Sequence, residues 1–174
     1  LYLKRIELLI QHWFLNKETK MNPHMKYTQS VPGGQEGNCW GLIDTNLIPA
    51  ILDWLNILSN DLDATVINPL KDWFTEFADW FNHSDLGQEE AAMFNNHATW
   101  HLVQSLSYLS FVGKTEEAKA RLEERALNLA KSHIDDEGNQ AHEFARTLSL
   151  NYTVFNSYGM ASLGIQAQRL SAEL

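Results

Sequence analysis

The stretch Glu116-Glu117-Ala118-Lys119-Ala120-Arg121-Leu122-Glu123-Glu124-Arg125-Ala126-Leu127 is built almost wholly from strong helix formers. It predicts an exposed helix from Glu116 to His133. Gly113 stands just before it and is suited to end a preceding helix, Gln88 to Phe111. Two helices joined by a short turn make a hairpin, and the rest of the chain repeats the theme. Leu1 to Leu15 places Ile6, Leu9, Ile10, Trp13 and Phe14 on one side of a helix. Asp44 or Thr45 can cap a helix from Thr45 to Leu58, in which Pro49 is tolerable only near the first turn. Val66 to Phe81 carries Trp73, Phe77 and Trp80 at helical spacing. Asp135 to Asn139 is a turn, Ala141 to Leu150 is short helix or irregular chain, and Tyr152 to Leu170 is a last helix. Asn16 to Cys39 is a long loop punctuated by Pro23, Pro32, Gly33, Gly34 and Gly37, and long loops in compact domains are often functional. No run of four residues reads as a strand. The expected class is all-α, with helix hairpins stacked side by side as in a solenoid or toroid. Six such helices make an arc rather than a closed ring.

The chain has 174 residues, the size of one domain, and 44% of them are hydrophobic, enough to bury a core. A net charge of -9 and an isoelectric point near 5.1 argue against a nucleic-acid partner. The single cysteine, Cys39, excludes an intramolecular disulfide. No apolar run approaches the ~20 residues of a membrane span. The chain opens on Leu1-Tyr2-Leu3, already in helical pattern and without an initiator Met or a signal segment, as expected of a fragment or processed product. Oligomeric state is not legible.

Chemistry concentrates in three places. His97 follows Asn95 and Asn96 in what the periodicity treats as mid-helix, where paired Asn is locally unfavourable. Such a choice marks a site; the bland alternative is a satisfied polar cluster in the core. Arg146 and Tyr152 lie six residues apart and can face one cleft if the chain bends between them. A guanidinium beside a phenol favours the phenolate. The alternative is that Arg146 pairs with Glu143 on a helix surface while Tyr152 packs inside. Glu90, seven residues before His97, lies two turns away on the same expected helix face, placed to orient His97 or Arg146. Glu143 can do similar work, and His142 beside it can line the cleft. His97 and His101 have the i, i+4 spacing of a zinc pair, but no acidic residue stands between them, so no metal is expected. Trp54, Trp73 and Trp80 read as core. Trp40 and Tyr27, in or beside the long loop, are suited to stack on sugar rings.

Several words resemble those of the alginate lyase superfamily. They are Met21-Asn22-Pro23, Tyr27 with Gln29, Pro32-Gly33, Gly41-Leu42-Ile43-Asp44-Thr45, Asn95-Asn96-His97-Ala98-Thr99-Trp100, Glu143-Phe144-Ala145-Arg146-Thr147-Leu148-Ser149 and then Tyr152. The resemblance runs from about Met21 to the C-terminus and looks closer to the branch that includes glucuronan-cleaving enzymes. It implies an α/α toroid, shorter here than a full one, spanning residues 1–174 as a single partial domain. It implies a lyase that cleaves 4-linked uronic-acid chains, alginate or glucuronan, by β-elimination. Asn96, His97, Arg146 and Tyr152 are then the catalytic set. Glu90, Asn95, Gln29, Tyr27, Trp40, His142 and Glu143 serve the substrate, no cofactor is required, and the setting is periplasmic or secreted. On this reading activity rises with pH through neutrality. An anionic polymer and an acidic protein repel at long range, so a local positive site must do the attracting. The rivals are a glycoside hydrolase using Glu90 and Glu143 across the scissile bond, and a non-catalytic glycan-binding protein.

Overall fold

A computed structural model describes residues 1–173. The helices are α1 (Tyr2–Ile10), α2 (Ile48–Ile57), α3 (Ala64–His83), α4 (Asp85–Ala91), α5 (Asn96–Phe111), α6 (Thr115–His133), α7 (Ala141–Phe144) and α8 (Ser149–Leu170). A π-helical turn, Gln11–Leu15, prolongs α1, and a 3-10 segment, Cys39–Thr45, precedes α2. Among the described residues there is no strand.

Helix α5 is the hub, because thirteen of its sixteen residues are buried and helices α2, α3, α4, α6 and α8 all pack on it. A helix enclosed on every side has no polar face to show, which is why its sequence lacks a clean amphipathic stripe. Helix α6 is the opposite case. It buries only Ala118, Leu122 and Ala126 along its length, plus His133 at its end; its glutamates stay outside, while Arg121 and Arg125 reach inward to Asn82 and the Ala91 carbonyl. The hairpin expected on either side of Gly113 is present, with Gly113 at φ +86 closing α5. The core between α3 and α5 is aromatic. Trp73, Phe74, Phe77, Phe81, Tyr108 and Phe111 form a run of stacked and edge-on rings, the Trp73–Phe77 pair at 5.1 Å and the Phe81–Tyr108 pair at 5.1 Å. Helix α8 approaches α5 closely at Gly159, where a methyl group would lie 2.8 Å from the Thr99 side chain.

The structure changes several sequence expectations. The helix expected from Gln88 to Phe111 breaks at 92–95, so α4 and α5 are separate and His97 sits in the first turn of α5. Asn95 is therefore no misfit within a helix. It is the N-cap, with its side chain accepting the His97 N–H at 3.1 Å. Helix α2 starts at Ile48 with Pro49 in its first turn. Asp44 and Thr45 do not cap it, because the 3-10 segment intervenes, and the Thr45 hydroxyl lies 3.1 Å from the Tyr108 hydroxyl. Trp54 is 64% exposed and not core, whereas Trp73 is buried. Asn82, in a glycosylation-type triplet, is buried and accepts from Ser105 and Arg121.

Two buried histidines contribute to the loss of stability between pH 7 and pH 5. His101 stacks on Phe81 at 4.6 Å, and burial drives its titration down to about 3. His133 is lowered too, first by burial. His101 stays neutral in the fold over this range and burial makes His133 harder to charge, while in the unfolded chain an imidazole charges below ~6.5. Their contribution is full above that pH and is lost as pH falls, at about 1.4 kcal/mol per pH unit for each proton taken up on unfolding. Glu90, raised by burial, acts in the opposite sense, one group against two. The urea midpoint is expected to fall steadily from pH 7 to pH 5, and His101→Leu to flatten that slope. A midpoint that does not change over this range overturns the assignment.

Candidate active site

The break between α4 and α5 places three residues side by side at one helix start. Asn95 caps it, Asn96 is the first helical residue, and His97 follows. From the opposite wall, α7 lasts only from Ala141 to Phe144, and the chain then bends into α8 at Ser149. That bend turns Arg146 inward and puts Tyr152 in the first turn of α8. Gln29, Trp40, Ile43, Met93, Asn95, Asn96, His97, Arg146, Tyr152 and Phe155 line one cleft of about 600 Å³.

Each catalytic candidate has a distinct support. His97 Nδ1 lies 2.8 Å from Glu90 Oε1, and its side chain is only 13% exposed. The Arg146 guanidinium sits 3.9 Å above the centroid of the Tyr152 ring, a cation–π arrangement that seats both side chains. No carboxylate among the described residues pairs with Arg146. The sequence alternative, an Arg146–Glu143 surface pair, is not what forms. Glu143 is buried, accepts the backbone N–H of Asn96, and lies 2.9 and 3.1 Å from its amide nitrogen. A carboxylate at a helix N-terminus is favourable electrostatically.

This arrangement reassigns part of the expected work. Asn96, expected in the catalytic set, is 1% exposed, and its amide donor is engaged by Glu143. Glu90 and Glu143 lie beneath His97 and Asn96 and do not line the cleft, so neither contacts a bound sugar directly. Glu90 reaches His97 from a different helix, not from two turns up the same one. Burial is the main cause raising the Glu90 carboxyl, with Asp44 and Glu89 adding to it and the His97 contact opposing it.

The long loop is held down by close backbone approach. Methyl groups on Gly37 and Gly41 would collide with Lys26 and Thr28 respectively. The 3-10 segment carrying Trp40 and Ile43 is fixed to α5 by Gln104, whose amide donates to Thr45 Oγ1 at 2.6 Å and to the Leu42 carbonyl at 3.1 Å. Trp40 thus stands exposed at the cleft edge. Gln29 lines the cleft with its backbone at φ +50, rare outside glycine, and donates to Asp44 at 3.2 Å. Tyr27 and His142 fall outside the lining. Tyr27 lies under Lys26 at 5.1 Å and beside His24, and His142 stacks on Phe94 at 6.0 Å. His101 is in the core and donates no partner to His97 for a metal. Among the described residues no three His, Cys, Asp or Glu side chains form a metal-binding group.

The sequence reading missed Ile43, Met93 and Phe155 as wall residues. Phe155 follows Tyr152 by three positions, a helical neighbour that the i, i+3 rule could have supplied. Among the described residues no helix is long and apolar enough to cross a membrane.

Comparisons with known proteins bear on the family and the fold. A crystal structure of an alginate lyase from Bacteroides ovatus superposes with a TM-score of 0.91 at 30% identity, covering 98% of this chain and 47% of that one. The chain therefore spans about half the length of that relative, and its all-helical architecture is that of an α/α toroid. A search of curated proteins finds no match. The alginate lyase family model matches residues 1–173. This chain belongs to the alginate lyase family.

Proposed function

We propose that this chain carries the reaction cleft of a polysaccharide lyase acting on 4-linked uronic-acid chains. The observation that carries the reading is the shared cleft: an Arg146 without a carboxylate partner, His97 and Tyr152 face one space. The C5 proton of a uronate is removable only when the neighbouring carboxylate is neutralised. Arg146 supplies the positive charge there, and the Asn95 amide at the cleft wall can add a hydrogen bond. Tyr152 or His97 removes the C5 proton. The electron pair forms the C4–C5 double bond, the C4–O4 bond breaks, and O4 takes a proton from Tyr152. In mannuronate and glucuronate the C5 proton and O4 lie on the same side of the ring, so one tyrosine serves both steps. The products are a shortened chain and an unsaturated uronate end. The family setting suits a periplasmic or secreted enzyme whose partner is the polymer itself.

The hydrolase alternative needs two carboxylates flanking the sugar. Its candidates, Glu90 and Glu143, are both buried behind other side chains. The discriminating experiment incubates the protein with polymannuronate, polyguluronate and polyglucuronate and follows near-ultraviolet absorbance. Unsaturated ends absorb and hydrolysis products do not, so chain shortening without absorbance sinks the lyase reading.

Trp40, exposed at the rim, is expected to bind a sugar ring face. Trp40→Ala should raise KM roughly 3- to 10-fold with kcat little changed, the effect of losing one aromatic contact of about 0.5–1.5 kcal/mol. Steady-state kinetics on uronate oligomers check it, and an unchanged KM removes Trp40 from the binding surface.

A further inference from the structure

We infer that Glu90 is a positioning residue that sets the tautomer of His97, keeping the proton on Nδ1 and leaving Nε2 as the bare nitrogen of the cleft. The inference rests on the lyase reading above and gives that site its proton bookkeeping.

Three observations support it. Glu90 is 0% exposed, its Oε1 lies 2.8 Å from His97 Nδ1, and its Oε2 has no hydrogen-bond partner among the described residues. A buried carboxylate with a single partner is costly, and an apolar side chain in its place is often no less stable. A local choice that costs stability points to function. The pair is also held rigidly. His97 is in the first turn of α5, with its N–H on the Asn95 cap, and Glu90 comes from the end of α4.

The surroundings decide where the proton rests. Asp44 and Glu89 face Glu90, and the Cys39 thiol beneath is pushed up to about 12, chiefly by burial, so it brings no charge. Among the described residues no Lys or Arg pairs with Glu90, and the Arg146 guanidinium lies on the Tyr152 ring. Of the two neutral tautomers, only the one with its proton on Nδ1 can donate to the Glu90 carboxylate 2.8 Å away; the other would set a bare nitrogen against a carboxylate oxygen. Neutral imidazole with Nδ1–H can only accept at Nε2. His97 is then a proton acceptor, and neutralising the sugar carboxylate is left to Arg146.

The test is a two-bond nitrogen–proton correlation spectrum of 15N-labelled protein at a pH where His97 is neutral, for wild type, Glu90→Gln and Glu90→Leu. Wild type is expected to show the Nδ1–H pattern. Glu90→Gln still offers a carbonyl oxygen to Nδ1–H, so it should keep that pattern and hold kcat within about fivefold. Glu90→Leu removes the acceptor and should lose the pattern, with kcat down roughly 10- to 100-fold, KM within about threefold and a thermal midpoint no lower than wild type. A wild-type spectrum with the proton on Nε2, or a Glu90→Leu protein with full kcat, overturns the inference. Should Glu90→Leu fail to fold, the wild-type and Glu90→Gln spectra still decide. Wild type that shows Nδ1–H but never forms unsaturated ends leaves the tautomer standing and sinks the lyase reading. The reverse result, unsaturated ends with Nε2–H, sinks the inference alone.

Discussion

Tyr152→Phe is expected to lower kcat by about three orders of magnitude while leaving the Kd for a uronate oligomer within about threefold. The substitution removes one oxygen and nothing else. The ring remains beneath the Arg146 guanidinium, so the 3.9 Å cation–π contact and the packing of the α8 start survive. The hydroxyl makes no hydrogen bond to another described residue, so its loss strands no buried partner. General acid–base groups contribute roughly 10²–10⁴ in rate. A tyrosine that returns the proton to O4, and takes the C5 proton where His97 does not, belongs toward the upper part of that range. Absorbance-detected turnover and equilibrium binding, measured on the same preparation, separate the two quantities. Retention of more than about a tenth of wild-type kcat removes Tyr152 from the chemistry.

Arg146→Ala carries the second large effect, an expected fall in kcat/KM of roughly 10²–10³, the scale seen when a donor aimed at developing charge is removed. Arg146 is the sole lysine or arginine among the cleft-lining residues, in a chain of net charge -9. No neighbour can take over its charge. Arg146→Lys should recover only part of the loss, because an ammonium lacks the planar fork that meets a carboxylate with two parallel hydrogen bonds. The cation–π contact accounts for little of the change, about 0.5–1 kcal/mol at a partly exposed site. Kinetics on charged uronate oligomers and on their carboxyl-esterified counterparts check the assignment. If Arg146→Ala depresses both substrates equally, the arginine is structural and not a carboxylate partner.

Much of the fold was legible because helical periodicity is local. The hairpin around Gly113 and the charged face of α6 follow from residues within one turn of each other. The break at 92–95 was hidden by Ala91-Ala92-Met93-Phe94, which are apolar and helix-compatible. The clue was Asn95, a good N-cap placed just ahead of an apolar run. His142 stands beside Glu143 in the block that carries Arg146 and so was expected at the cleft. It parts company with Arg146 because α7 ends after Phe144. Trp54 has the same spacing logic as Trp73, but periodicity gives a face, not what covers it. The contact between Glu143 and Asn96 spans 47 positions, and no short-range rule reaches that far. The cleft residues were reached largely through short words, and Glu90 through a seven-residue spacing on a helix that in fact breaks between it and His97.

That long-range contact has a thermodynamic consequence. Glu143 clamps the start of α5 from a four-residue helix that leads directly to Arg146, so docking of this segment and occupancy of the cleft are linked equilibria. A ligand that grips the arginine must also slow local opening there. The amide of Asn96 becomes a reporter whose hydrogen-exchange protection rises with saturation, even though the residue itself barely meets the solvent.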